Sequence, residues 1–418
     1  MGNSNTRRVI LAGAIGNVLE WYDFAVYGYF ATAIGRTFFP KEDPVAQVLS
    51  AFGIFAVGFL MRPVGGALLG HIGDKFGRRA ALTISVAAMA IPTFLVGVLP
   101  GYATLGIAAP ILLTVLRMVQ GLSVGGEYTT SVVFMVEQAP ADRRGLIGAM
   151  GCCGAVGGIL LGSATGAVLA QLIPVDALES WGWRIPFVLG LLVGIAGFFL
   201  RRTLADAPRT EPVHRSPLKE TVRQHWPLLV RLAGVSCFNA VGFYLAFVYI
   251  VSWLQLADGI APSHALGINT ASMAVLLPVM IGAGTLSDRI GRRPVLLMAT
   301  AIGVLGAIPF FWLMHDDRTW MILLGQMGFV VAVGLFVGSQ PTAMVEAAPA
   351  KVRCTAVALG YNVTLGIVGG VSPLVATWLV HRTGDNLSPA FLIMAAGAIS
   401  FAAALFFKET AHSRLETA

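Results

Sequence analysis

Charged residues are scarce in this chain. Asp, Glu, Lys and Arg make up 12% of its 418 residues and hydrophobic residues 56%, whereas a typical soluble domain carries about 25% charged residues. This scarcity excludes a soluble enzyme and indicates an integral membrane protein. The apolar runs are long and unbroken, which excludes a barrel, whose strands would be segments of about 10 alternating residues.

Cysteine and histidine are also few. The four cysteines lack metal-ligand spacing, and we expect them to be small packing residues without a disulfide; they are Cys152, Cys153, Cys237 and Cys354. All seven histidines fall in loops or at the ends of apolar runs. Carboxylates must therefore carry any proton that crosses the membrane. No phosphate-binding loop and no His/Asp/Cys constellation occurs, so we expect no ATP, cofactor, metal or enzymatic activity.

Twelve apolar runs are predicted to cross the bilayer, which requires roughly 20 residues. They lie near residues 9–35, 45–70, 80–99, 107–136, 145–170, 185–200, 228–252, 269–286, 294–314, 320–346, 355–381 and 389–407. Residues 201–226 form the longest polar connection and show no helical period. We interpret 201–226 as a cytoplasmic linker between an N-terminal half, 1–200, and a C-terminal half, 227–418.

The basic residues predict the orientation. Most of the 28 Lys and Arg residues fall on the side that carries the N-terminus, the linker and the C-terminal tail. The positive-inside rule makes that side cytoplasmic. The net charge of +7 is therefore explained by topology, and nucleic acid is not expected as a partner. The first run is longer than the apolar region of a secretion signal and contains Glu20 and Asp23, so we interpret it as a retained span.

Two motifs occur twice in the same order. The segment Gly70–Arg79, GHIGDKFGRR, returns as Gly284–Arg293, GTLSDRIGRR, and Met135–Ala141, MVEQAPA, returns as Met344–Ala350, MVEAAPA. Repeated motifs at nearly equal offsets indicate two homologous halves, an architecture that places a transport site near the midplane between them.

These motifs carry a family resemblance. The repeated G-x-x-x-D-[KR]-x-G-R-R loop resembles that of the major facilitator superfamily. GNVLEWYDFAVYG (Gly16–Gly28), GFLMRPVGG (Gly58–Gly66) and RMVQGLSVGGEY (Arg117–Tyr128) resemble its metabolite:proton symporters. That group includes transporters of citrate, dicarboxylates, 2-oxoglutarate, shikimate and proline/betaine. The resemblance implies an all-α integral membrane fold with twelve transmembrane helices in two pseudo-symmetric six-helix halves. We expect a monomer in a bacterial inner membrane with both termini cytoplasmic.

Ionisable residues inside the apolar runs mark a candidate site, because each costs on the order of 2.5–3.5 kcal/mol at bilayer depth. They are Glu20, Asp23, Glu127, Arg62 and Arg117. Three carboxylates against two cations leave one without a counter-charge, and such a group is expected to carry the proton. Our order of preference is Asp23, then Glu20, then Glu127. A fixed ion-pair network that only stabilises the first half is the alternative.

Arg117 is the expected anchor for an anionic substrate, because a guanidinium forks onto a carboxylate. Gln120 shares a helical face with Arg117, and Tyr27 lies on the stripe of Glu20 and Asp23. Arg62 either contacts substrate or pairs with Glu127 or with carbonyl groups at the helix end. In the second half, polar candidates for substrate contact are Asn239, Tyr244, Tyr361 and Asn362; ordinary helix packing is the alternative for each.

The repeated loops predict a cytoplasmic gate. Acidic and basic side chains there could form ion pairs that close this side and break when it opens. The residues are Asp74, Arg78, Arg79, Glu137, Asp288, Arg292, Arg293 and Glu346. Topology and helix capping alone are the alternative explanation.

Together these features predict proton-coupled symport of a small organic anion by alternating access. A di- or tricarboxylate such as citrate is the expected substrate, with protons and the lipid bilayer as the other partners. A proline/betaine osmoprotectant symporter is the alternative, which we rank second because the tail after Phe407 is short. A channel is disfavoured by the paired halves and the carboxylates at depth.

Overall fold

The computed structural model describes residues 18, 20–40, 43–76, 78–123, 127–202, 217–316, 318–411, 413 and 415. Within these ranges the secondary structure is helical and contains no strand. Nine helices of the described residues are long and apolar enough to cross a membrane, and two shorter apolar helices cover Thr83–Val98 and Gly182–Ala196. The chain forms two compact units.

The first unit comprises residues 1–127 and 154–215. Its helices are residues 20–29, Ala31–Phe38, Pro44–Leu60, Arg62–Phe76, Arg78–Val98, Tyr102–Leu105, Ala108–Ser123, most of Arg144–Leu172, Val175–Ser180 and Ile185–Arg202, with a 3₁₀ turn at Gly182–Arg184. Predicted runs 45–70, 80–99 and 185–200 coincide with these helices. The first predicted run is helical from residue 20, and residues 1–17 lie outside the described ranges.

A helix break precedes Pro63. Asp43 caps the N-terminus of Pro44–Leu60, and its side chain accepts hydrogen bonds from the backbone N–H groups of Val45 and Ala46. The next helix begins at Arg62. Because proline has no N–H to donate, the helical hydrogen-bond ladder is interrupted here. Arg62 therefore stands at a joint between two helical segments.

The second unit comprises residues 128–153 and 216–418. Its helices are the greater part of Glu127–Glu137, the start of Arg144–Leu172, Pro217–Gln224, Trp226–Phe238, Ile250–Asp258, Pro262–Ile290, Arg292–Met314, Thr319–Ala347, Arg353–Thr364, Ser372–Thr383 and Ser388–Leu405, with a 3₁₀ turn at Ala350–Val352. Helix Pro217–Gln224 corrects the expectation that 201–226 lacks helix, because an eight-residue amphipathic stretch was too short for its period to stand out.

Among the described residues of this unit, three π-helical segments interrupt the membrane spans. Asn239–Phe243 and Leu245–Tyr249 lie within the span Trp226–Asp258, and Leu365–Gly369 lies within Ala350–Thr383. Such turns are frequent at functional sites because they shift carbonyl groups out of the regular ladder.

The compact units do not follow the predicted boundary between halves. Residues 128–153, placed by sequence in the N-terminal half, pack with the C-terminal helices. The carboxylate of Asp288 accepts hydrogen bonds from the backbone N–H groups of Gly145 and Leu146 at 2.8 and 2.9 Å, which supplies one physical reason. The division into 1–200 and 227–418 remains a prediction.

Candidate functional site

Two buried ion pairs lie inside the first unit. Asp23 Oδ2 accepts a hydrogen bond from Arg117 Nη1 at 2.7 Å, and both side chains have no exposed surface. Glu20 Oε1 accepts from Arg62 Nη2 at 3.2 Å. We call these four side chains the ion-pair cluster.

The cluster corrects one step of the sequence argument. Asp23 was ranked first as a carboxylate without a counter-charge, but it is paired with Arg117. Arg62, for which substrate, Glu127 and carbonyl groups at the helix end were the expected contacts, is paired with Glu20. The side chain of Glu127 lies outside the described part of the structure. Sequence spacing could not decide the pairing, because it depends on how three separate helices pack. The proton-coupling roles of these carboxylates remain predictions.

The side chain of Arg117 forms its hydrogen bonds to described residues through Nη1 alone. We call the side of the guanidinium group with Nε and Nη2, which have no hydrogen-bond partner among the described residues, its open edge. Its Nη1 also donates to Gln120 Oε1 at 2.9 Å, and Gln120 Nε2 donates to Thr93 Oγ1 at 2.9 Å. Its Nε and Nη2 are buried and have no hydrogen-bond partner among the described residues. Buried donors without acceptors are costly. A bound carboxylate would satisfy both, since Nε and Nη2 form a fork with carboxylate geometry.

Aromatic rings enclose the same guanidinium. Its carbon lies 4.3 Å from the ring centre of Tyr27 and 4.5 Å from that of Phe24. The Tyr27 hydroxyl donates to the carbonyl of Ala51 at 3.1 Å, which fixes the ring in place. The structure therefore brings Tyr27, Gln120 and Arg117 together with Asp23, as the sequence predicts.

A close helix contact positions Arg117. The backbone of Gly121, one turn further along the same helix, lies against the carbonyl of Gly58 so closely that an added Cβ would stand 2.0 Å from that oxygen. Only glycine permits this approach. It holds the Ala108–Ser123 helix against Pro44–Leu60, with Arg117 in the interface.

The four polar candidates of the second half all lie in the second unit. Asn239 Nδ2 donates to Gln340 Oε1 at 2.9 Å, and Gln340 Nε2 donates to Ser236 Oγ at 3.1 Å. Asn239 begins a π-helical segment, and Tyr244 stands between two of them.

Tyr361 and Asn362 lie four and three residues before the third π-helical segment, which begins at Leu365, and both are buried. The Tyr361 ring centre lies 5.3 Å from that of Tyr128. Their contact with substrate remains a prediction.

The repeated loop motifs form a charge cluster in the second unit. Arg353 Nη1 donates to Glu137 Oε1 at 2.5 Å, and Arg144 Nη1 lies 3.7 Å from Glu346 Oε1. Arg292 bridges the group: it donates to both oxygens of Glu346, at 3.1 and 3.2 Å, and to Asp288 at 2.7 Å. Among the predicted gate residues, Asp288, Arg292 and Glu346 are therefore joined in one ion-pair network, and Glu137 is paired with Arg353.

The structure describes fewer side chains in the first copy of the loop motif than in the second. The side chains of Asp74, Arg78 and Arg79 lie outside the described residues. Arg293 lies in the second copy of the motif, and its backbone N–H donates a hydrogen bond to Glu409 Oε2 at 3.0 Å. That this network gates the cytoplasmic side remains a prediction.

Glu409 is a functional candidate that the sequence analysis missed. Its carboxylate caps the helix Arg292–Met314, which is preceded by Gly291 at a positive φ of 105° and with no side chain to cap the helix. Burial opposes ionisation of Glu409, but the backbone N–H groups of Arg292, Ala411, Arg293 and Thr410 together lower its pKa below the usual value. No sequence pattern links residue 409 to residue 292.

Arg144 and Arg353 were also missed, although a signal existed. Each stands seven residues after the glutamate of its own copy of the MVE-x-A-P-A motif, Glu137 or Glu346. Extending the repeat by three residues would have found both.

Comparison with known proteins places these features in context. The family model of the Major Facilitator Superfamily matches residues 13–364. The glycine betaine/proline/ectoine/pipecolic acid transporter of Dickeya dadantii is 36% identical, covering 99% of this chain and 85% of that protein. The proline/betaine transporter of Salmonella typhimurium is 35% identical with the same coverage.

Solved structures agree on the fold. The crystal structure of D-xylose-proton symporter has a TM-score of 0.77 and 21% sequence identity, covering 99% of this chain and 100% of that one. An inward-open conformation of the xylose transporter from E. coli has a TM-score of 0.72 at 18% identity, with 97% of both chains covered. At these identities the likeness concerns the fold alone.

Proposed function

Because this chain belongs to the Major Facilitator Superfamily, we propose that it is a proton-coupled symporter for a small zwitterionic osmoprotectant of the betaine and proline type. Membership of the family establishes an all-α membrane fold of twelve transmembrane helices in two pseudo-symmetric six-helix halves, as predicted. It also establishes a multi-pass transporter that is not an enzyme.

The predicted preference for a di- or tricarboxylate such as citrate is wrong. Relatives 35–36% identical over 99% of the chain are named proline/betaine transporters or carry those solutes in their names. The short tail was a poor guide, since the length of a terminal segment says nothing about the residues that line a transport site.

The charge balance of the ion-pair cluster is the observation that carries the proposal. Two carboxylates and two guanidinium groups are paired and buried, so the described charges sum to zero. A di- or tricarboxylate would bring two or three negative charges into this interior without an equal number of unpaired cations to meet them, which is unfavourable. A zwitterion adds no net charge.

The substrate carboxylate would bind the open edge of Arg117. Nε and Nη2 would each donate to one carboxylate oxygen, while Nη1 keeps its bond to Asp23. The carboxylate of Asp23 and that of the substrate would then both be paired with the guanidinium group of Arg117. Because two carboxylates would then face the single guanidinium group of Arg117, uptake of a proton by Asp23 would restore the local charge balance at this end of the substrate and couple substrate binding to protonation.

We further propose that Glu20 and Glu127 assist in proton transfer, and that both termini face the cytoplasm of a bacterial cell with the charge cluster on that side. Asn239, Tyr244, Tyr361 and Asn362 would provide further polar contacts to the substrate. The protein would act as a monomer in the inner membrane.

Uptake in a bacterial strain that lacks osmoprotectant transporters tests this function. Cells that produce the protein should accumulate labelled glycine betaine or proline, and a protonophore should abolish accumulation. Unlabelled citrate or succinate should not compete. Accumulation of citrate without that of betaine would contradict the proposal, and insensitivity to the protonophore would contradict proton coupling.

A further inference from the structure

Arg62 is a buried cation in an aromatic environment. Its guanidinium carbon lies 4.3 Å from the ring centre of Phe59, 4.8 Å from that of Phe24 and 5.0 Å from that of Trp21. Only 1% of its side chain is exposed. Three rings and the carboxylate of Glu20 thus surround one positive charge.

This environment offers a guanidinium few hydrogen bonds. Arg62 has five N–H donors, yet the bond to Glu20 is long at 3.2 Å and Nε has no partner among the described residues. An arginine that served only to stabilise the fold would be expected to use more of its donors when buried. The surroundings suit a cation without N–H groups better.

A quaternary ammonium is such a cation. Its methyl groups carry the positive charge and donate no strong hydrogen bonds, and proteins recognise it with aromatic cages. We propose that Trp21, Phe24 and Phe59, with Glu20 as counter-charge, form the binding site for the ammonium group of the substrate. Arg62 occupies this cage when substrate is absent. The proposal rests on the zwitterionic substrate argued above and assigns the residues that recognise its cationic end.

Exchange of one cation for the other conserves charge. Glu20 keeps a positive partner throughout, so the exchange does not leave a buried carboxylate uncompensated, which would be strongly unfavourable. Arg62 is placed to move, because it begins a helix beside the break at Met61 and directly precedes Pro63.

Phe24 links the two ends of the substrate. Its ring centre lies 4.8 Å from the guanidinium carbon of Arg62 and 4.5 Å from that of Arg117. A carboxylate on the open edge of Arg117 and an ammonium in the cage would therefore lie close to the same ring. This spacing favours a compact zwitterion, in which few atoms separate the two charges.

Graded fluorination of Phe59 tests the cage. Each fluorine withdraws electron density from the ring face and weakens a cation–π contact while changing its shape little. Phe59 in the full-length purified protein is replaced by mono-, di- and trifluorophenylalanine. Binding of glycine betaine is measured beside that of 3,3-dimethylbutyrate, which has the same shape but no positive charge.

The dissociation constant for betaine should rise stepwise with fluorine number, by on the order of fivefold to thirtyfold over the series. That for dimethylbutyrate should stay constant. The matched control is Phe187, a buried ring of the same unit that packs against Trp183. Its fluorination should change neither constant.

A second variant tests the stand-in role of Arg62. Arg62→Gln removes the competing cation, so betaine should bind several-fold more tightly; a fixed structural arginine predicts weaker binding. If fluorination of Phe59 leaves the dissociation constant for betaine unchanged, the proposed cage is wrong, while the proposed function is unaffected. Failure of the unaltered protein to bind betaine at all would instead overturn the proposed function.

Discussion

Arg353 donates a hydrogen bond to Glu137 at 2.5 Å, although the two residues are 216 positions apart in the chain. Their counterparts in the other copy of the motif, Arg144 and Glu346, lie 3.7 Å apart. Each arginine therefore faces the glutamate of the opposite copy. This crossed pairing ties the two copies together, an arrangement suited to a gate that opens when ion pairs break.

Breaking the Glu137–Arg353 pair should loosen this network. Arg353→Gln is expected to speed amide hydrogen exchange in residues 350–360, because one tie to Glu137 is lost. The double change Glu137→Arg with Arg353→Glu should restore slow exchange, since the charges are exchanged but kept opposite. Arg382→Gln, at an exposed position, is the control. Equal exchange rates in all variants would contradict a role for the pair in closure.

The helix contact beneath Arg117 gives a second prediction. Gly121→Ala should destabilise the protein by about 1–3 kcal/mol, because its Cβ would stand 2.0 Å from the carbonyl oxygen of Gly58, and backbone cannot move aside cheaply. Gly53→Ala in the neighbouring helix is the control, as nothing lies within 4 Å of its added Cβ. Thermal unfolding of the detergent-solubilised protein measures both. A Gly121→Ala variant as stable as Gly53→Ala would refute the close packing.

Substrate binding should depend on the two parallel N–H donors of Arg117 as well as on its positive charge. Arg117→Lys keeps a cation beside Asp23 but cannot donate two parallel hydrogen bonds, so substrate affinity should fall by roughly tenfold or more. Titration calorimetry with glycine betaine measures the change. The conservative substitution is informative because Arg117→Ala would also leave the buried carboxylate of Asp23 without a counter-charge. Unaltered affinity in the lysine variant would move the carboxylate site elsewhere.

Glu409 should stabilise the protein at neutral pH and lose this effect in acid. Its pKa is lowered in the folded state. The stabilisation is therefore complete above the ordinary glutamate pKa and disappears as the pH falls through the lowered value.

Glu409→Gln should thus cost about 0.5–1 kcal/mol at pH 7, a helix-capping contribution reduced by partial exposure of the carboxylate. The deficit should shrink as the pH is lowered below about 4. Melting temperatures across this range measure it, with Asp142→Asn as the control at a carboxylate that is 77% exposed. A deficit that stays constant with pH would exclude the ionised cap.

Sequence predicted the fold well because its signals are local or repeated. Apolar run length marks spans such as Arg292–Met314, predicted as 294–314, and the repeated motifs mark two related halves. The cost of burying charge identified Asp23, Arg62 and Arg117 without knowledge of their contacts.

The ion pairs within the site could not be predicted from the sequence. Glu20, Asp23, Arg62 and Arg117 come from three stretches of the chain, and which acid meets which base depends on helix rotation and on contacts such as Gly121 against Gly58. The aromatic rings around Arg62 were hidden for the same reason, because aromatic residues fill membrane helices generally. The wrong substrate class had another origin, because Arg117 was taken as the anchor for an anionic substrate without knowledge of its pairing with Asp23.

Proton-driven uptake into proteoliposomes is the most direct test of coupling. With an inward proton gradient, vesicles containing the unaltered protein should concentrate glycine betaine above its external level. Vesicles with Asp23→Asn should only equilibrate it, while exchange of internal for external betaine persists, because the residue can no longer release a proton. Concentration of betaine by the Asp23→Asn protein would contradict the account.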